Sequence, residues 1–171
     1  MDRPKKTLAM RVLEDQRIAY QAVLFPESIH DALGVAEHTG LPPSMVYKTL
    51  VVQAQDPNRP GKNRPLLIIV AADRSLDLKK VAHAAGAKRV EMAPRAEAER
   101  LTGLKVGGIS ALALLDRGFK VNLDEQAHLL EEIVVSAGQR GINLRLRVED
   151  LRRVTGAEWA DVSRPGGAED G

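Results

Sequence analysis

Three short stretches hold the residues whose types and spacing could do chemistry. The first is VYKTLVV, residues 46–52. Read as a β-strand, it places Val46, Lys48, Leu50 and Val52 on one face, so an ammonium stands among three aliphatic side chains. A lysine of this kind can pack its stem on such neighbours and keep its head in water. At the wall of a pocket it has two further uses. As a general base it needs a pKa brought from about 10.4 to about 7–8, which takes roughly 4 kcal/mol of desolvation. As a cation holding a phosphate or a carbonyl oxygen it needs no shift, and that use is the less costly.

The second stretch is TGLKVGGIS, residues 102–110. Gly107 and Gly108 lack side chains, so their N–H groups can approach a ligand closely and point at an oxyanion or a phosphate; a tight turn or bulge is the alternative. The third is SAGQRGINL, residues 136–144. Ser136 supplies a hydroxyl, Gly138 and Gly141 permit positive φ, and Arg140 is a candidate phosphate clamp; a hairpin turn is the alternative here. Histidines 30, 38, 83 and 128 are scattered without HxxxH or HExxH spacing, and there is no cysteine. Thiolate chemistry and disulfides are excluded, and no metal or cofactor is expected.

These stretches need elements to position them. Residues 6–16 read as a helix and 18–25 as a strand. Ser28 is a candidate cap for a helix that stops at Gly40. VYKTLVVQ and PLLIIVAA flank the polar AQDPNRPGKNR (54–64), as in a long-tipped hairpin whose Arg59, Lys62 and Arg64 are solvated or contact RNA. DLKKVAHAAG (77–86) is a helix with Leu78, Val81, Ala82 and Ala85 as its apolar stripe, and another helix opens at Pro94 and ends near Gly103. Strands are expected at 119–123, 132–136 and 143–147, and a last helix from residue 148 or 149. The tail SRPGGAEDG reads as disordered.

The totals bound what this assembly can be. The 171 residues suffice for one domain, here 1–163 with a tail at 164–171. Aromatics are only 3%, too few for a base-stacking platform. A net charge of +2 with pI near 9.0 permits contact with phosphates without requiring it. The longest apolar run, around residues 66–72, is far short of a membrane span, and MDRPKKTLAM lacks the apolar region of a signal peptide. Cytoplasmic residence is the expectation.

Taken together and in order, VYKTLVV, DLKKVAHAAGAKRVEMA, TGLKVGGIS and SAGQRGINL resemble the YbaK family of aminoacyl-tRNA deacylases, and most of all its Cys-tRNA(Pro) deacylase branch. The resemblance runs from about residue 8 to residue 162. It implies an α+β fold, with a mixed, largely antiparallel sheet curled like an open barrel among surrounding helices. It implies hydrolysis of the ester between a wrong amino acid and the terminal adenosine of tRNA(Pro), cysteinyl first and alanyl next. Prolyl-tRNA synthetase is the implied partner, with no metal and no membrane. The family's lysine falls on Lys48, its Gly-Gly turn on Gly107 and Gly108, its late serine on Ser136 and its first-strand aromatic on Phe25. Several positions depart from the pattern. Asn143 stands for an aspartate, Phe25 for a tyrosine and Ala111 for a proline, and the segment from Phe25 to Lys48 is shortened and lacks His-x-Pro. The resulting expectation is a catalytic set of Lys48, Gly107 and Gly108, with Phe25, Ser136, Arg140 and Asn143 binding substrate. A relative that binds tRNA ends, a nucleotide or a synthetase without catalysis is the alternative.

Overall fold

The run PLLIIVAA is apolar without alternation because its strand is covered on both faces. The computed structural model describes residues 6–56 and 58–166. In it β2 (Tyr47–Gln55) and β3 (Asn63–Ala71) form the expected hairpin, in register from Tyr47↔Ala71 to Gln55↔Asn63. β3 then pairs in parallel with β6 (Lys120–Asp124), and β6 in parallel with β9 (Glu158–Ala160). The short β5 (Val90–Met92) closes the other side, so the sheet order is β5-β2-β3-β6-β9. On one face Val52, Leu66, Ile68 and Val70 pack against Val81 of helix α3 (Leu78–Ala85). On the other, Leu67, Ile69 and Leu123 meet the main core. Burial on both sides removes the polar alternation of a half-solvated strand.

That core is shared with a second, three-stranded antiparallel sheet in the order β1-β8-β7, made of β1 (Gln21–Leu24), β7 (Glu132–Gln139) and β8 (Ile142–Arg147). Its Ile133, Val135, Leu144 and Leu146 face inward, together with Leu13 of helix α1 (Leu8–Asp15) and Leu151 of helix α5 (Val148–Thr155). Helix α4 (Arg95–Thr102) follows Pro94 and ends at Gly103 in the left-handed region, as the sequence predicts. Helix α2 (Ala32–Thr39) is capped by Asp31, not by Ser28: the Asp31 carboxylate accepts the Gly34 N–H, while Pro26 and Ile29 close a turn just before it.

The open barrel expected from the family resemblance is not what forms. The strands are mixed, and most pairings are antiparallel, but the sheet neither closes nor curls strongly. The described strands make three separate sheets, the third being β4 (Arg74–Leu76) with β10 (Ser163–Pro165). The two larger sheets meet at one parallel bridge, Val46↔Val134, where Met45 accepts the Val134 N–H at 3.0 Å. Closure needs a continuous ladder around the ring. Here β2 leaves β7 after that bridge and continues with β3 and β5, and the outer strands β5 and β9 are three residues each. The chain stays in a strand through Pro165; the rest of the tail, residues 167–171, lies outside the described residues.

Candidate active site

The gap left where β5 stops is the candidate site. Ala72 donates its N–H to Val46 at 2.8 Å, so the even-numbered residues of β2 bond to β3 and the odd ones turn their N–H and C=O to the other edge. On that edge β5 covers only Val52–Ala54, and Ala93 adds one bond to the Val51 carbonyl. The N–H and C=O of Thr49 are left without a strand partner, at the wall of a cavity of about 200 Å³. Lys48, half-buried, lines the same cavity. So do Gly107, Ser136 and Asn143.

Each comes from a different part of the fold. Ser136 and Asn143 are directly opposite each other across β7 and β8. Asn143 is 5% exposed, and the Ser136 hydroxyl oxygen accepts the Gly138 N–H at 3.1 Å, just before the register shift that ends the ladder. Gly107 sits in a β-turn closed by the Gly108 N–H on the Lys105 carbonyl at 2.8 Å, with φ +93 at its third residue. Turns of this kind want glycine there. The neighbouring groups clamp the turn: Glu99 accepts the Val106 N–H at 2.8 Å, and the Arg140 Nε donates to the Val106 carbonyl at 2.9 Å. With Gly108 engaged in the turn itself, the Gly107 N–H is the one of the pair that has no partner among the described residues.

Tyr47 forms another part of the wall. Burial pushes its phenol well above the ordinary value, and the Asp124 and Asp73 carboxylates push the same way, so it stays protonated and can only donate or accept a hydrogen bond. Asp124 itself is buried, accepts the Ser163 hydroxyl and lies 3.9 Å from Arg74; burial raises its pKa. Among the described residues no group of His, Asp and Glu could hold a metal ion.

Known proteins similar to this chain point to one family. The family model of the aminoacyl-tRNA editing domain matches residues 26–154. A protein of Enterococcus faecalis, EbsC, assigned as a Cys-tRNA(Pro)/Cys-tRNA(Cys) deacylase, is 33% identical over 93% of this chain and 94% of its own. The multifunctional Ser/Thr-tRNA deacylase ProXp-y of Escherichia coli is 30% identical over 79% of this chain and 81% of its own. A crystal structure assigned to a trans-editing enzyme for prolyl tRNA synthetase shares the fold, with a TM-score of 0.76 at 24% identity over 92% of this chain and 95% of that one. The chain belongs to the aminoacyl-tRNA editing domain family.

Within that family's fold, the residues expected from sequence divide into two groups. Lys48, Gly107, Ser136 and Asn143 share the cavity; Gly108, Arg140 and Phe25 are not on its wall. Gly108 packs under the next hairpin, where a Cβ would lie 3.0 Å from the Arg140 and Gln139 backbone. Phe25, 8% exposed, packs with Val35, Val46 and Val134 behind the cavity. Arg140 holds the turn through the bond from its Nε to the Val106 carbonyl. Among the lining residues that escape sequence reasoning are His30, Thr49 and Arg95. His30 has no partner at ligand spacing, and it reaches the site only because its backbone packs on Gly107. The signals for the other two are an edge left uncovered and a helix start.

If Arg140 acts through the turn, Arg140→Met keeps the stem's packing and loses the bond to Val106. A charge-assisted bond of this kind contributes about 1.5–3 kcal/mol. We expect kcat to fall by about 10-fold or more with KM little changed, and Arg140→Lys to recover part of the loss. A marked rise in KM would instead place Arg140 on the substrate.

Proposed function

We propose that this protein is a trans-editing hydrolase that cleaves the ester of mischarged tRNA(Pro), with cysteinyl as the first substrate and alanyl the next. One observation carries the reading: Lys48, from the second strand, and Gly107, from a turn nearly sixty residues later, line one small cavity in a chain of the editing family. The name of EbsC supports cysteinyl-tRNA(Pro), and that of ProXp-y makes seryl and threonyl esters the natural comparison. The structural neighbour assigned to trans-editing motivates prolyl-tRNA synthetase as the partner that supplies the tRNA. Such work belongs in the cytoplasm; among the described residues no helix is long and apolar enough to cross a membrane.

In this mechanism the terminal nucleoside lies along the uncovered edge of β2, its base paired to the N–H and C=O of Thr49. The Lys48 ammonium holds the phosphate or polarises the ester carbonyl. Water, activated by the ribose 2′-hydroxyl, attacks the acyl carbon and gives the free amino acid, or the substrate's own thiol attacks it and gives a cyclic thioester that water then opens. The negative charge that develops on the carbonyl oxygen is met by the Gly107 N–H, a contribution of a few kcal/mol when the donor is preorganised. The C–O bond to the ribose breaks, and the 3′-oxygen leaves with a proton. Ser136 and Asn143 hold the aminoacyl group by neutral hydrogen bonds, since an amide at 143 offers no charge to an ammonium.

A panel of tRNA(Pro) mischarged with Cys, Ala, Ser or Thr, incubated with purified protein, tests the reading. Release of cysteine from tRNA(Pro) well above the uncatalysed rate is expected. If every ester survives while the tRNA still binds, the protein is a non-catalytic binder, as the neutral Asn143 would suit.

A further inference from the structure

The net charge of the whole chain is only +2, yet one end of the five-stranded sheet carries more than that. The tip of the β2–β3 hairpin and the lead-in to β5 bring together Arg59, Lys62, Arg64, Lys88 and Arg89, all exposed, against the carboxylates of Asp56 and Glu91. Asp56 is turned inward on its own loop, where it accepts the Asn58 N–H at 2.9 Å. Elsewhere Lys6, Lys80, Arg100, Lys120, Arg145, Arg152 and Arg153 each have a carboxylate within 4 Å, and the exposed cations outside the ion pairs, Arg11, Arg17, Lys79, Lys105, Arg117 and Arg147, are spread over separate elements of the chain. None of the five forms an ion pair among the described residues.

The sheet register gathers these side chains. Arg64 is opposite Ala54 on one side of β2, and Val90 is opposite Ala54 on the other. Gln55 donates its N–H to the Arg89 carbonyl at 3.1 Å. Arg64 and Arg89 therefore flank the end of β2, about 10 Å apart across two strand spacings. The hairpin tip beyond them is folded back on itself by Asp56 and Lys62, so Arg59 and Lys62 stay with this group. From Thr49 at the cavity to Gln55 at this end is six residues of extended strand, about 20 Å.

A tRNA presents that geometry. Its aminoacylated end is single-stranded for a few nucleotides, and then the phosphates become dense where the acceptor stem begins. We propose that the cationic end built from Arg59, Lys62, Arg64, Lys88 and Arg89 is the docking surface for the phosphate backbone of the acceptor stem. The proposal rests on the reading above, in which the terminal nucleoside enters the cavity. It assigns the stem to the β2–β5 end of the sheet. Contacts of this kind are to phosphates, so they bind stems irrespective of sequence and leave the choice of tRNA to another partner.

The test replaces the five cations with glutamine. The control neutralises Arg100, Lys120 and Arg153, which are exposed but paired. Binding of uncharged tRNA(Pro) is measured across a salt series, and hydrolysis is compared on full aminoacyl-tRNA and on a 3′-aminoacyl adenosine that lacks the stem. Each lost phosphate contact should flatten the slope of log K against log[salt] by about 1, and affinity at low salt should drop by about 100-fold or more in the five-site variant. The control should keep its slope, and hydrolysis of the stemless ester should be unchanged in both. An unchanged slope in the five-site variant overturns the proposal, and so does an equal loss on both esters. If the wild type cleaves neither ester, the hydrolase reading fails, while the salt series still decides the docking surface. A variant that keeps its tRNA slope but loses capture by prolyl-tRNA synthetase would assign the surface to an anionic protein face instead.

Discussion

Lys48→Ala is expected to lower kcat/KM on the ester substrate by about 10²–10³-fold, the range for removing one preorganised electrostatic group from a reacting centre. The fold should survive. Lys48 is half-buried on a strand whose even-numbered main-chain groups remain bonded to β3, and a strand substitution at such a position costs about 1 kcal/mol or less. The loss should therefore appear in rate and not in Tm.

The same site separates the two roles left open for this lysine. A guanidinium cannot be deprotonated in a protein. Lys48→Arg therefore keeps a cation for phosphate or carbonyl and removes any general base. If the ammonium acts by its charge, arginine recovers a substantial part of the activity, and the pH–rate profile shows no limb near pH ~7–8 that disappears on substitution. If it acts as a base, arginine is as inactive as alanine. A Lys48→Ala protein within about threefold of wild type would remove Lys48 from the mechanism altogether, since a preorganised electrostatic group at a reacting centre contributes more than that.

Much of this was legible because the relevant residues sit in elements with clear periods. The alternation of VYKTLVV isolates Lys48, and the hairpin that carries it follows from two apolar runs around a polar tip. Ser136 and Asn143 come together because SAGQRGINL is a turn between two strands, which makes them cross-strand neighbours. The side on which Arg140 emerges depends on the register shift and on positive φ at Gly138 and Gly141, details that residue types alone do not set. Strands β4, β5, β9 and β10 are three residues each, too short for any period to show, and the site exists because one of them, β5, stops early. The curl of the sheet was out of reach for a related reason: it depends on whether edges meet, and edges are decided by packing between distant segments. His30 is the clearest such case, since nothing in its neighbourhood along the chain announces that its carbonyl will rest against Gly107.

That contact makes Gly107→Ala the most disruptive single methyl that can be added near the site. The new Cβ would lie 2.8 Å from the His30 carbonyl oxygen and 3.2 Å from its Cα, both backbone atoms that cannot swing away, at a residue with φ +93. Strain of this kind costs about 1–3 kcal/mol before the clash is relieved, and relieving it must move either the turn or the His30 segment, both of which line the cavity. We expect a Tm lower by several degrees, at about 2–4 °C per kcal/mol for a chain of this size, and a fall in kcat of about 10²-fold or more as the Gly107 N–H leaves its position. Gly40→Ala separates the two effects. Gly40 has φ +74 at the end of α2, and a Cβ added there would meet nothing within 4 Å, so it carries the conformational strain, about 1–2 kcal/mol, without the clash. It should lower Tm modestly and leave kcat intact. If Gly107→Ala behaves like Gly40→Ala, losing stability but not rate, the turn is a packing feature and its N–H takes no part in the reaction.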